Sequence, residues 1–449
     1  MKYSTQRVAY VYFAGALLLF AVQLIFGALA ATVFAIPNFL ATILPFNILK
    51  MIHTNALIVW LLMGFFGASY YLIPEEAERD IESPLLAYVQ FGLLMFGALA
   101  AVIGYLFGIH KGRAYLEQPT WIKLAIVVVA LIFLYNVSIT VLRGRRTAIT
   151  NVLLVGLYGI AFFWLFALYD PDNLALDKMY WWYVVHLWVE GVWELVMAAV
   201  LAFLVIKLTG ADREVVDKWL YSIVGLSLFS GLLGTGHHYY WIGLPAFWQP
   251  VGNVFSVLEI APFFAMVMFS FTMVWRARLR HPNLAAMLWS LGCPATAFFG
   301  AGVWGFMHTL SWVNFYTHGT QVTASHAHLA FYGAYVMLNL AIFTYAMPYL
   351  RNLPPYNQIL NMWSFWLMSG GVWFMTFTLT FAGVLQTHLQ RVLGGTFMEV
   401  QDQLVLFYWM RLGAGLVTMI GGFLYIYAVL GPARVEKPAW SEPTPVPAE

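Results

Sequence analysis

Twelve apolar runs, each long enough to cross a bilayer, decide what this chain can fold into. They fall at roughly 9–33, 47–73, 85–108, 121–142, 148–169, 179–208, 217–241, 251–275, 283–310, 321–349, 358–386 and 403–430, and a spanning helix needs about 20 residues. In hydrocarbon every backbone polar group must be satisfied internally, which leaves helices or a closed barrel. The ten-residue alternating strands of a barrel are absent. The expectation is an all-α polytopic membrane protein with twelve transmembrane helices. Composition excludes the other classes: 62% of residues are hydrophobic and only 9% charged, against about 25% charged in soluble domains. A disordered chain would show the opposite balance, and one cysteine, Cys293, cannot build a disulfide scaffold. A net charge of +2 spread over loops offers no patch for nucleic acid, and the bilayer is the partner it implies. Connections are short, so residues 1–431 read as one twelve-helix domain, followed by a flexible, proline-rich tail at 432–449.

Lysine and arginine set the orientation. With the N-terminus inside, the inner loops hold most of the 22 basic residues, Arg143, Arg145, Arg146, Arg276, Arg278 and Arg280 among them. Lys50, Lys111, Arg113, Lys123, Lys178, Arg391 and Arg411 fall on the outer side. Both termini are therefore expected in the cytoplasm. The inner loop with Glu75, Glu76, Glu78, Asp80 and Glu82 is acidic, but acids count little in this rule. The first apolar run is too long for a cleavable signal peptide. Transporter-like internal repeats are not evident.

Six of the 11 histidines lie well inside the spans. His53, His186, His237, His238, His326 and His328 all fall roughly 6–11 Å below the outer surface at 1.5 Å per residue. A single buried histidine reads most simply as a helix–helix polar contact. Six at one depth on four helices point to metal ligation. His326 and His328, two residues apart, face about 200° apart on a helix and must serve different centres. His237 and His238 can meet one metal only where the helix is loosened, which Gly234, Thr235 and Gly236 permit. His186 can join them. That leaves His53, His326 and His328 for tetrapyrrole iron, with the span of His326 and His328 lying between two haems.

This set resembles the haem–copper oxidase superfamily: a histidine on span two, one on span six, an adjacent pair on span seven and H-x-H on span ten. Four stretches are similar to the large catalytic subunit of bacterial cytochrome c-dependent nitric oxide reductases: WWYVVHLWVEGVWE from Trp181 to Glu194, GTGHHYYW from Gly234 to Trp241, GAGVWGFMHT from Gly300 to Thr309, and YTHGTQ from Tyr316 to Gln321. The resemblance runs from about residue 9 to 430 and implies a subunit I-like fold. In oxygen-reducing members a tyrosine follows the span-six histidine by four residues and the second metal is copper. Here that position is Glu190, on the face of His186. Three imidazoles and a carboxylate suit iron in a redox role, whereas zinc cannot transfer electrons. The resemblance implies His53 and His328 as axial ligands of a low-spin haem b, His326 as the proximal ligand of a high-spin haem b3, and His186, His237, His238 and Glu190 as ligands of a non-haem iron. It implies reduction of two NO to N2O and water.

Glu190, Glu194 and Glu259 are the three acids well inside spans, and buried carboxylates are functional candidates by default. Glu194 and Glu259 are expected to donate protons; the bland alternative is a hydrogen-bonded structural role. Span interiors show no lysine and their inner mouths no acid that could feed the site, so protons are expected from the periplasmic side. The outer loop with Glu117 resembles the family's proton-inlet and calcium region. Relatives carry a second acid where this chain has Ala114, so calcium there would rely on other oxygens. Lys50, one turn before His53, is a candidate partner for a haem propionate. His110 and His388 are expected to be solvated, and His281 to sit in a basic inner loop. His308 and His318 flank the outer ends of spans nine and ten, near candidate propionates. The aromatic runs at 181–188 and 239–248 read as packing and interface belt.

No C-x-x-C-H is present, so no covalent haem c is expected. With the first span starting near residue 9, the N-terminal extension of quinol-fed relatives is not expected. Electrons should come from a membrane-anchored cytochrome c partner, itself fed by soluble cytochrome c or a cupredoxin. The setting is a bacterial inner membrane. Two other readings stay open here, a haem–copper oxygen reductase and a transporter with substrate-binding histidines.

Overall fold

The computed structural model describes residues 1–352, 358–432 and 444–445. Among them, twelve helices are long and apolar enough to cross a membrane: Ser4–Ala35, Phe46–Ala77, Pro84–Leu106, Thr120–Leu142, Ala148–Leu168, Leu174–Thr209, Arg213–Tyr239, Trp248–Trp275, Leu284–Thr309, Gln321–Arg351, Gln358–Val392 and Val405–Leu430. The number matches the sequence reading. Most of the expected tail lies outside the described residues; Thr444–Pro445 pairs antiparallel with Leu279–Arg280.

Burial sorts the spans. In the most apolar window of spans two, six and ten, 94%, 83% and 89% of residues are buried, against 28% in the first and last spans. The three inner spans carry His53, His186 with Glu190, and His326 with His328. They are apolar all round, as a helix surrounded by other helices must be.

The second helix outruns its expected end at residue 73 and continues to Ala77. Glu75 and Glu76 therefore sit on its last turn, not in a loop, and the mouth of the spans at that end does hold acids. Each has a partner. Lys207 pairs with Glu75, which also accepts from the Gln6 amide at 2.9 Å. Arg213 pairs with Glu76 at 2.6 Å. Further on, Arg145 meets Glu78 at 2.8 Å, Arg143 meets Glu82 at 2.7 Å, and the Thr5 hydroxyl donates to Asp80 at 2.7 Å. The acidic stretch is thus an ionic seam that ties the N-terminus and spans two, four, six and seven together at one end of the bundle. His281 lies in the loop with Arg276, Arg278 and Arg280. It is buried, its Nδ1 accepting from the Asn283 backbone N–H at 3.1 Å, and burial lowers its pKa to about 4.

Several spans lose α-helical regularity around the histidines. Span six opens into a π turn at Trp188–Val192, with Glu190 at φ −117, ψ 19. Span seven ends in a 3-10 turn at Thr235–Tyr239. Spans nine and ten carry π turns at Phe298–Trp304 and Tyr332–Val336. Such turns shift side chains off the 3.6-residue lattice and concentrate at functional sites. The Tyr335 hydroxyl donates to the Val189 carbonyl, which the π turn of span six exposes. Gly231 has no side chain to collide with the Glu190 carbonyl, so span seven can approach that turn.

Candidate metal centre

The turns bring one nitrogen from each of His186, His237 and His238, and one oxygen of Glu190, within 4.8 Å of one another. His186 is fully buried; its Nε2 donates to the Gly231 carbonyl at 2.7 Å, which leaves Nδ1 free, 3.4 Å from Glu190 Oε2. His237 uses Nδ1 on the Ser256 hydroxyl at 2.7 Å and points Nε2 at Glu190 Oε2, 3.6 Å away. His238 Nε2 lies 3.6 Å from Glu190 Oε1. The adjacent pair meets the same point because the 3-10 turn replaces the α-helix there.

These residues fit a metal. His186 Nδ1 and His238 Nε2 are buried without a hydrogen-bond partner, and buried polar atoms rarely stay so. An ion bonded at about 2.0–2.2 Å to each donor would satisfy them together. The other nitrogens of His186 and His237 are held by a backbone carbonyl and a hydroxyl, the kind of outer hydrogen bond that orients metal-binding imidazoles. Among the described residues this is the one group of three or more potential ligands so arranged.

Two further acids stand close. Glu259 Oε1 is 3.7 Å from His186 Nε2, at a break between two helical segments of span eight, in space that Gly234 leaves empty. Glu194 is 1% exposed, beside Ser227, with Oε2 unpartnered. The aromatic run before His186 does more than pack. Trp182 stacks on His238 with ring centres 4.7 Å apart, and Trp181 stacks on Trp182 at 5.3 Å. The Trp181 indole donates to the Ala114 carbonyl at 2.8 Å. The four-residue spacing of Trp182 and His186 is the sequence signal that bears on this contact.

His53 and His328 form a second arrangement. Their ring centres are 6.4 Å apart and 27° from parallel. Two iron–nitrogen bonds of about 2 Å, plus the distance from each nitrogen to its ring centre, call for about 6 Å. Each ring spends Nδ1 on a carbonyl, Gln23 at 2.8 Å and Ala324 at 2.7 Å. A Cβ at Gly27 would lie 2.6 Å from the His53 ring, so glycine makes room for that imidazole. His326 turns instead toward span nine, its Nδ1 donating to the Gly300 carbonyl at 3.0 Å. The three imidazoles thus fit axial positions on two sides of span ten.

Arg411, which the sequence groups with the outer cations, is an intramembrane charge. It lies about seven residues into span twelve, as His53 and His328 do in theirs, with its guanidinium 4.8 Å from the Phe34 ring centre. A charge inside an apolar run is the sequence signal for it. His308 is buried, both nitrogens taken by Thr317 and Thr323 hydroxyls at 3.1 and 3.0 Å, and His318 Nδ1 donates to the Asn314 carbonyl at 2.7 Å. Lys50 is exposed at the mouth.

In the loop after span three, Glu117 is 6% exposed and accepts from the Asn55 amide at 2.9 Å. Burial pushes its carboxyl up to about 7. Asn55 lies two residues past His53 and faces about 200° away from it, so Glu117 stands on the opposite side of span two from the His53 ring. Asp170 and Asp177 are taken by Arg113 of the same loop.

The family described as cytochrome c and quinol oxidase polypeptide I matches residues 7–417. The chain is 50% identical to the nitric oxide reductase B subunit of Stutzerimonas stutzeri, over 97% of this chain and 96% of that one. It is 24% identical to the Cbb3-type cytochrome c oxidase subunit CcoN1 of the same organism, over 88% and 87% of the two chains. In fold it resembles a haem–copper terminal oxidase dimer solved by cryo-EM, with a TM-score of 0.75 over 98% of this chain and 86% of that one, at 14% identity.

Proposed function

The chain belongs to the cytochrome c and quinol oxidase polypeptide I family and, within it, to the nitric oxide reductase B subunits, and from that premise we propose that it joins two NO into N2O at a centre held by His186, His237, His238, Glu190 and His326. The observation that carries this is Glu190, whose carboxylate stands 3.4–3.6 Å from a nitrogen of each of the three imidazoles. That donor set favours iron over copper.

The balance is 2 NO + 2 e⁻ + 2 H⁺ → N2O + H2O. When bound, a non-haem iron at the His–Glu cluster and a high-spin haem b3 on His326 would supply electrons and two open coordination positions side by side, with a low-spin haem b on His53 and His328 as relay. The protein's own part is positioning. Gly231 and Ser256 hold His186 and His237 by hydrogen bonds, and Trp182, backed by Trp181, covers one face of His238. Two substrates held in such a pocket lose much of the entropic barrier to coupling. Glu194 and Glu259 hold protons beside the reacting atoms, within the buried volume where they are needed.

Proton delivery starts at Glu117, a buried acid at the outer mouth, and opens toward the periplasm. Glu75 and Glu76 at the other end are tied to Lys207 and Arg213 and do not serve as donors. With substrate protons and electrons from one side, turnover moves no net charge across the membrane. Lys50 is placed to meet a haem propionate. Calcium binding would use Glu117 with backbone oxygens, since Ala114 has no oxygen to offer on its side chain. As one member of a reductase complex, the chain works with partner subunits in a membrane. The expected partner is a membrane-anchored cytochrome c, reduced by soluble cytochrome c or a cupredoxin, in the inner membrane with both termini cytoplasmic.

Elemental analysis and a pyridine haemochrome assay on the purified complex test this reading. Two haem b and one non-haem iron per chain without copper, together with N2O from NO under a reduced donor, are expected. Copper in place of that iron would move the assignment to oxygen reduction.

A further inference from the structure

Arg411 stands near the depth of His53 and His328, about seven residues into its span. The Phe34 ring it faces lies two turns along span one from Gly27, where a Cβ would touch the His53 ring, and Tyr408, one turn before it, accepts at 3.5 Å from Gln321, two turns before His328. These contacts set it among spans one, ten and twelve, on the side where the gap between the two rings opens. Its guanidinium rests on the Phe34 ring at 4.8 Å, and the Tyr408 ring packs on Phe34 as well, with ring centres 5.0 Å apart. No ion pair or hydrogen bond to it occurs among the described residues.

Such a charge is costly. Guanidinium stays protonated in proteins, and a cation within the hydrocarbon needs an anion. The intramembrane carboxylates Glu190, Glu194 and Glu259 belong to the other cluster. A haem b brings two carboxylates of its own.

We infer that Arg411 is the counter-ion of a propionate on the haem held by His53 and His328, and that it raises the reduction potential of that haem. The inference rests on the proposed haem ligation. Reduction of ferric to ferrous iron adds one electron and one negative charge to the cofactor. A fixed cation in a low-dielectric setting favours the more negative state. Phe34 and Tyr408 keep the guanidinium from swinging out to water.

The test uses the full membrane complex with Arg411→Gln and Arg411→Lys, reading haem content by pyridine haemochrome and the low-spin midpoint by spectroelectrochemical titration. Arg411→Gln should keep its visible spectrum while the oxidised-to-reduced ratio at fixed ambient potential rises about tenfold, a fall of about 59 mV for a one-electron couple. Arg411→Lys should stay near the wild-type midpoint. An unchanged midpoint in Arg411→Gln with full haem overturns the inference. If Arg411→Gln loses the low-spin haem, Arg411→Lys decides: retained haem supports the counter-ion role, and loss in both variants overturns it. Absence of haem from the wild-type complex would sink the ligation reading itself, a result distinct from a midpoint that does not move.

Discussion

The indole of Trp182 lies flat on the imidazole of His238, ring centres 4.7 Å apart and planes 6° from parallel. His238 Nε2 has no hydrogen-bond partner, so stacking restrains a ring whose metal-facing nitrogen would otherwise swing. Groups that orient a ligand typically contribute 10–100-fold to metal affinity. Trp182→Ala should lower affinity for the non-haem metal about tenfold, and Trp182→Phe should retain most of it. Iron retained per haem after dialysis against graded chelator measures this. Equal retention in all three proteins would show that the stack is packing alone.

Glu190 contacts all three imidazoles of the cluster. Glu190→Ala is expected to strip the non-haem iron and cut NO reduction at least tenfold, with both haem b signals intact, because neither haem-type arrangement uses that carboxylate. Full iron with normal turnover in this variant would remove Glu190 from the site.

His53 and His328 depend on each other, since each offers one face of the same gap. His53→Ala should abolish the low-spin spectrum and leave the high-spin haem on His326. A bis-histidine signal that survives in this variant, read by electron paramagnetic resonance, would show that His53 is not the ligand.

Glu117 gives a pH signature. Burial lifts its carboxyl from the ordinary 4.5 to about 7. Between those values the folded protein holds a proton that the unfolded chain has released. Stability therefore falls as pH rises through that window, by up to about 1.4 kcal/mol per pH unit, and levels off above it. Glu117→Gln mimics the protonated form. Its thermal midpoint should gain on the wild type from pH 5 to 7, and its NO-reduction rate should lack an inflection near neutrality. Parallel pH profiles for the two proteins would refute both the raised carboxyl and the inlet role.

The parts of the site that follow from helical geometry are legible in the sequence. His326 and His328, two residues apart, have to diverge, and the adjacent His237 and His238 require a loosened helix next to Gly234 and Gly236. The structure supplies that as a 3-10 turn. Glu190 is visible as an acid inside an apolar run, though the π turn that carries it is not, because π turns arise from packing such as the Tyr335 contact with Val189. Trp182 is hidden in a tryptophan-rich run whose members look alike until their neighbours are known. Arg411 is misplaced because charge near a span end reads as surface unless the end is fixed to within one turn. Glu75 and Glu76 look like loop because their cations come from spans six and seven.

That ionic seam has a bearing on biosynthesis. Glu75 finds Lys207 across 132 positions of sequence, and Glu76 finds Arg213 across 137. While spans three to five insert, both carboxylates sit at the membrane edge without their cations. That end of the bundle can be fastened only once the ribosome has delivered span seven. Spans two and six are therefore unfastened at that end while spans three to five insert, and the seam can close before spans eight to twelve arrive. Since the Arg213 contact bridges chain segments on either side of residues 210–212, two fragments divided there and made in one cell would still carry a ready-made recognition point for each other.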